Sequence, residues 1–198
     1  MMDEDQSGEP AADPLALMCS WLPPNDDHSR PMMTLSTIDV DGYPDARSVL
    51  LSEADRDGLY FHTDSRSRKA RQLTATGRAC AVLAWPELGR QLVAQGDVTS
   101  VPAARSAAVF AVRGPYLRLL AWANTPETAL LPAPERRARW AEFAHRHPDA
   151  TLLPPPTWIG FRLRPRRLTF YRADEAGPSH RTEYRLLGGA WTAALLPG

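Results

Sequence analysis

The sequence predicts a mainly β fold, a barrel of short antiparallel strands with helices set between them. Three observations carry this expectation. About seven short segments between Met33 and Ala194 have the alternating, β-branched and aromatic character of strands. Asp41-Gly42 and Asp57-Gly58 are hairpin-turn signals. No G-x-G-x-x-G follows a strand and no G-x-x-x-x-G-K-[ST] occurs, so dinucleotide-binding and P-loop parallel sheets are not supported.

Residues 1 to about 12 are rich in Asp, Glu, Gly and Pro with little to bury, so disorder is expected there, ahead of a single domain over 13–198. Asp13-Pro14 opens a short helix, with Asp as N-cap and Pro at the first helical position. Leu15, Met18 and Leu22 give it one apolar face, and Pro23-Pro24 ends it. Met33–Ile38 is the first strand and returns through Asp41-Gly42 as Arg47–Leu51. The second turn leads into Leu59–His62, and Ser67–Leu73 has helical character. Ala79–Trp85 and Gln91–Val101 form the next strand pair, joined by Pro86-Glu87-Leu88-Gly89. Pro102 starts a helix that runs to about Val112, Leu117–Ala123 is a further short helix, and Pro132–His145 is a charged amphipathic one. The closing strands are Trp158–Leu163, Arg167–Arg172, and Thr182–Leu187 with Ala190–Ala194.

Charge narrows the function classes. The 23 basic and 23 acidic residues cancel, whereas a nucleic-acid binder carries a basic excess to meet phosphates. No apolar run approaches the roughly 18 residues of a membrane span. The acidic, polar N-terminus is unlike a secretion signal. A soluble cytoplasmic protein with no nucleic-acid or membrane partner is the expectation. Cys19 and Cys80 match no metal-ligand spacing and are expected to be buried small hydrophobes. His145 and His147, two apart beside Pro148, make a poor metal pair, so no metal is expected. Lys69 is the only lysine among the 23 basic residues, and it falls within Ser67-Arg68-Lys69.

That segment, together with Arg47, points to a phosphate-bearing ligand. Arg47, Arg68 and Lys69 come from a strand and a helix start, so they could converge on one dianion. Ser67 at a helix N-terminus adds a hydroxyl, backbone N–H groups and the positive end of the helix dipole. Arginine forks favour bidentate phosphate contacts. The bland alternative is a solvated helix face.

An ordered set of motifs resembles the pyridoxamine 5'-phosphate oxidase family from about Asp13 to Pro197. Its members are Arg47-Ser48-Val49-Leu50-Leu51, His62-Thr63, Ser67-Arg68-Lys69, the hairpin Trp85 to Gln91, Phe110 to Arg113, Ala121-Trp122, Phe170-Tyr171, Arg181, and the ending from Gly189. The resemblance implies a six- to seven-stranded split β-barrel, homodimeric, with FMN at the dimer interface. It implies flavin contacts at Arg47, Ser48, Val49, Leu50, Leu51, His62, Thr63, Ser67, Arg68, Lys69, Gln91, Tyr171 and Arg181, with Tyr171 in place of the usual Trp. Pro126 and Glu127 stand where the family has two further flavin contacts, Gln and Ser.

The departures fall on the substrate side. Family oxidases hold the substrate phosphate with Lys, Tyr, Arg and Ser at positions matching Ser52, Val109, Arg113 and Leu117, and only Arg113 is kept. Gly177 and Ser179 match the ring-orienting Arg and His, and His180 lies one residue later. Each lost charged hydrogen bond costs about 1.5–3 kcal/mol, enough together to weaken a phosphate ester by orders of magnitude. Ser52 in place of Lys is similar to the family's phenazine-biosynthesis oxidases. The function implied is FMN-dependent oxidation of a small, largely apolar heterocycle with oxygen as acceptor, Arg113 and Ser52 being the substrate-pocket candidates. The alternatives are a genuine pyridoxamine/pyridoxine 5'-phosphate oxidase with an altered site, and a non-catalytic flavin or haem binder on the same fold.

Overall fold

Burial alternates along the strands, as a side-chain period of two requires. The computed structural model describes residues 10–148 and 152–198. In β1 (Met32–Ile38), Met33, Leu35 and Thr37 are buried while Met32 and Ile38 are exposed. β5 (Arg78–Trp85) buries Ala79, Ala81 and Leu83, and β6 (Arg90–Ser100) buries Leu92, Ala94 and Val98. β4 (Gly58–Asp64) is buried along its first five residues, the mark of an interior strand. Leu35, Leu59, Leu83, Leu92, Leu163 and Leu168 are all within 1% of full burial. Each contributes about 1.5–3 kcal/mol.

The chain forms two compact units. The first runs to Phe61 and takes in Gln72–Thr99 and Arg162–Gly198; the second comprises His62–Arg71 and Ser100–Phe161. With β2 (Pro44–Leu50), β3 (Glu53–Asp55) and β7 (Trp158–Arg172), the sheet has the order β2-β1-β5-β6-β7-β4-β3. β8 (His180–Leu187) also pairs with β7, and β9 (Ala190–Pro197) pairs with β8. The hairpin registers are antiparallel. The expected mainly β, antiparallel architecture is therefore present.

α1 (Pro14–Ser20) forms as its N-cap predicts, with Asp13 Oδ1 accepting from Leu15 N at 3.0 Å and Ala16 N at 3.1 Å. The expected disorder of residues 1 to about 12 falls mostly on 1–9, which lie outside the described residues. Two expectations change, and two short elements were not foreseen. The two strands read around Pro165 are one strand of 15 residues. Gly96 explains how it continues: a Cβ there would come within 2.8 Å of Arg164 C and 2.9 Å of Arg166 N, so a bare glycine lets β6 and β7 approach closely. The three-residue β3 and the four-residue α5 (Pro126–Ala129) were too short to show a period. Cys19 and Cys80 are half-buried, not fully buried, and desolvation raises both thiol pKa values.

The second unit is helical apart from its strand ends. α2 (Arg68–Thr76) starts there, followed by α3 (Ala103–Ala111), α4 (Pro115–Ala123), α5 and α6 (Ala133–Arg146). α4 and α6 meet through aromatic rings, Tyr116 with Trp140 at 5.4 Å and Trp122 with Phe143 at 6.2 Å. No described helix is long and apolar enough to cross a membrane.

Candidate flavin and substrate site

The start of α2 builds a small polar cradle in the second unit. Ser67 precedes the helix, and its Oγ accepts from Ala70 N at 3.3 Å, the N-cap bond that stops the helix from fraying. The same Oγ lies 3.3 Å from Thr63 Oγ1, at the end of β4. Lys69 Nζ donates to Thr63 Oγ1 at 3.2 Å. One ammonium, two hydroxyls and a helix N-terminus thus share one corner. Nearby, Asp64 pairs with Arg66 at 2.7 Å, and that hydrogen bond holds its carboxyl below the usual range. Arg68 is exposed on the first turn.

A second cluster in this unit is aromatic. His62 is 8% exposed and stacks on Trp158, with centroids 5.2 Å apart and planes within 9°. Arg113 places its Cζ 4.8 Å from the Trp158 ring centroid. Phe110 meets the indole edge-on at 5.4 Å, and Trp158 Nε1 donates to Ser106 O at 2.9 Å. Burial, then the charges of Arg113 and Arg105, push the His62 pKa down to about 3, so its imidazole is neutral at physiological pH. Burial lowers the Arg113 pKa to about 10. Val109, 8% exposed, and half-buried Leu117 stand four residues either side of Arg113.

In the first unit Arg47 is engaged by its own neighbours. Its Nη2 sits 2.6 Å from Asp45 Oδ2 and donates to Gln72 Oε1 at 3.1 Å. Its Nη1 donates to Thr37 Oγ1 at 2.6 Å and to Leu35 O at 3.2 Å. Gln72 Nε2 closes the network on Asp45 Oδ2 at 3.1 Å. The β1–β2 register sets this up, with Leu35 opposite Arg47 and Thr37 opposite Asp45. Along the rest of the segment, Ser48 is exposed, Leu50 half-buried, and Val49, Leu51 and Ser52 buried, with Ser52 N bonded to Tyr60 O at 2.7 Å. Tyr171 and Arg181 are direct cross-strand partners on β7 and β8, so both side chains share one face. Gln91 lies opposite Ala84 on the β5–β6 hairpin.

Of the residues singled out in the sequence, the structure brings together Thr63, Ser67 and Lys69, and separately Tyr171 and Arg181. It places His62 against Trp158 and Arg113, and it commits Arg47 to Asp45. Trp158 and Ser106 were missed. The available signal was Gly160, two residues after Trp158 on the same strand face. A Cβ there would come 2.6 Å from His62 Nε2 and 2.8 Å from Ser106 Oγ. Among the described residues, no group of three or more His, Cys, Asp or Glu could hold a metal ion.

The sequence pattern of the pyridoxamine 5'-phosphate oxidase family matches residues 28–153. The chain belongs to this family. A pyridoxine/pyridoxamine 5'-phosphate oxidase of Caulobacter vibrioides (strain NA1000 / CB15N) is 34% identical over 193 residues, spanning 93% of this chain and 84% of that protein. Among solved structures, PhzG from Burkholderia lata 383, in complex with tetrahydrophenazine-1-carboxylic acid, matches with a TM-score of 0.84 at 27% identity, covering 96% of this chain and 95% of that one. A pyridoxamine 5'-phosphate oxidase-related, FMN-binding protein from Nostoc punctiforme PCC 73102 shares the fold, with a TM-score of 0.69 at 22% identity over 84% of this chain and 88% of that one. The curled antiparallel sheet of the first unit is thus the split barrel of the pyridoxamine 5'-phosphate oxidases, as the motifs implied. The chain is an oxidase of this family with phenazine-type relatives.

Proposed function

We propose that this family member is an FMN-dependent oxidase that acts on a small, largely apolar heterocyclic carboxylic acid and passes electrons to oxygen. The observation that carries the reading is Arg113, half-buried on an aromatic face with Val109 and Leu117 at flanking positions. A guanidinium held against an indole, with apolar Val109 and Leu117 nearby in sequence, suits a carboxylate on a flat apolar ring. The likeness to PhzG, solved with a heterocyclic carboxylic acid, supports it.

The donors at the start of α2 fit a phosphate monoester. Lys69 supplies charge, Thr63 and Ser67 supply hydroxyls, and the helix end supplies N–H groups. We assign the FMN phosphate to these residues and to Arg68, with Arg47 shaping the β1–β2 scaffold through Asp45. By resemblance, Ser48, Val49, Leu50, Leu51, Gln91, Tyr171 and Arg181 supply the remaining flavin contacts. Bound FMN supplies two-electron redox chemistry, while the chain binds, orients and shields. Arg113 orients the substrate through its acid group, Val109 and Leu117 keep water from the ring, and Ser52 offers a neutral hydroxyl where a lysine would favour phosphate. We further infer a cytoplasmic homodimer. The apolar edge strand β9, with Ala193, Ala194 and Leu195 exposed, supports a second copy as its cover. A light-scattering mass of one chain with FMN bound would remove the dimer from this account.

The test is oxygen consumption by FMN-loaded protein. Tetrahydrophenazine-1-carboxylic acid should be turned over, and pyridoxine 5'-phosphate should be oxidised at least about 100-fold less efficiently, given the lost charged contacts. The reverse preference would establish the second reading, a pyridoxine/pyridoxamine 5'-phosphate oxidase, which the 34% identity to the Caulobacter vibrioides enzyme favours.

A further inference from the structure

Arg113 follows α3 in a turn, its backbone N bonded to Phe110 O at 3.1 Å, and Gly114 comes next. An arginine in such a place has many rotamers, and ordering it costs side-chain entropy whenever a ligand binds. In this structure that freedom is already restricted by Trp158, whose ring centroid lies 4.8 Å from Arg113 Cζ.

Trp158 is itself fixed from several directions. Its Nε1 donates to Ser106 O, its backbone N donates to Pro155 O at 2.9 Å, His62 covers it with a parallel ring, and Phe110 abuts its edge. Gly160 leaves no room to spare, since a Cβ at that position would collide with His62 Nε2 and Ser106 Oγ. The indole therefore cannot tilt without moving α3 and the end of β4. A neutral imidazole is the right backing, because a protonated one would repel the guanidinium it helps to place.

We propose that Trp158, backed by His62, is a positioning residue that sets the specificity of this oxidase for a planar carboxylate by holding Arg113 in its ligand-accepting orientation. A guanidinium confined against a ring has fewer directions in which to offer its planar N–H fork. That geometry matches the two coplanar oxygens of a carboxylate. A phosphate monoester spreads its charge over three oxygens and is held best by cations from several directions. The proposal rests on the reading of Arg113 as substrate anchor, and its test separates the two.

The measurement is calorimetric binding to FMN-loaded protein with two probes that differ by one group, phenazine-1-carboxylate and phenazine. Trp158→Leu should weaken the carboxylate about 10- to 30-fold and phenazine less than about twofold, in line with loss of an aromatic partner for a cation. Trp158→Phe keeps a ring and should recover most of that loss. Arg113→Met should weaken the carboxylate at least as much, and the double variant Trp158→Leu/Arg113→Met should be no weaker than Arg113→Met alone. If Trp158→Leu does not accumulate folded, His62→Leu removes the backing and should show the same selective loss at about 3- to 10-fold. Equal losses for both probes would make Trp158 a simple pocket wall, and additive losses in the double variant would show that it does not act through Arg113. Either result overturns the proposal while leaving the anchor standing. No effect of Arg113→Met on the carboxylate overturns the anchor and this proposal together.

Discussion

Two arginines in this molecule are handled in opposite ways. In the first unit Arg47 meets a carboxylate at 2.6 Å and completes a network with Thr37, Gln72 and a backbone carbonyl. In the second unit Arg113 meets an aromatic face, and burial lowers its pKa to about 10. Charge answered by charge makes a scaffold, because removing either member strands the other. Charge laid on an indole face is held by a weaker, less directional contact that leaves the arginine able to take up a further anion. The difference teaches that the same residue type is placed by very different partners, a carboxylate network for Arg47 and an aromatic face for Arg113.

The largest expected effect follows from the ring beside Arg113. The His62 pKa in the folded protein, about 3, lies below its ordinary 6.5, so the unfolded chain takes up the proton first as pH falls. Stability is full above about pH 6.5 and declines toward pH 3, by on the order of 4 kcal/mol when complete. Denaturant melts at pH 7 and pH 4.5 should show His62→Phe losing less stability than the unmodified protein. An equal loss in both would show that the imidazole titrates normally and that the cluster is open to water.

Next in size is the contrast between the two arginines. Arg113→Met should lower kcat/KM for a carboxylate substrate by about 100-fold while shifting Tm by less than a few degrees. In the unmodified protein, carboxylate affinity should also fade as pH rises through about 10, below the ordinary arginine value of 12.5. Arg47→Met should do the reverse. It removes the Arg47–Asp45 ion pair and the guanidinium's bonds to Gln72 and Thr37, costs about 2 kcal/mol of stability, and leaves KM within about twofold. Similar kinetic profiles for the two variants would dissolve the comparison.

Legibility differed between the two regions for a physical reason. The barrel strands were readable because burial on one face imposes a period of two, seen in Met33, Leu35 and Thr37. The cradle was readable because Ser67 both caps a helix and sits beside the only lysine. Tyr171 and Arg181 were linked in the sequence only through the family resemblance; their direct pairing was not legible, because the strands expected there end at Arg172 and resume at Thr182. The Arg47 network was not readable, since Gln72 and Asp45 are 27 residues apart and meet only through tertiary packing. Trp158 escaped for the same reason: 96 and 45 residues separate it from His62 and Arg113, a rolling pattern along the chain that no local period records.

The cradle of Thr63, Ser67 and Lys69 is assigned, as a proposal, to the flavin phosphate. Fluorescence titration of the apoprotein with FMN and with riboflavin tests this directly, because the two ligands differ only in the phosphate. FMN should bind at least about 100-fold more tightly, and Lys69→Ala should cut that ratio by about tenfold or more, the worth of a charged hydrogen bond. Equal affinity of the unmodified protein for FMN and riboflavin would contradict the assignment.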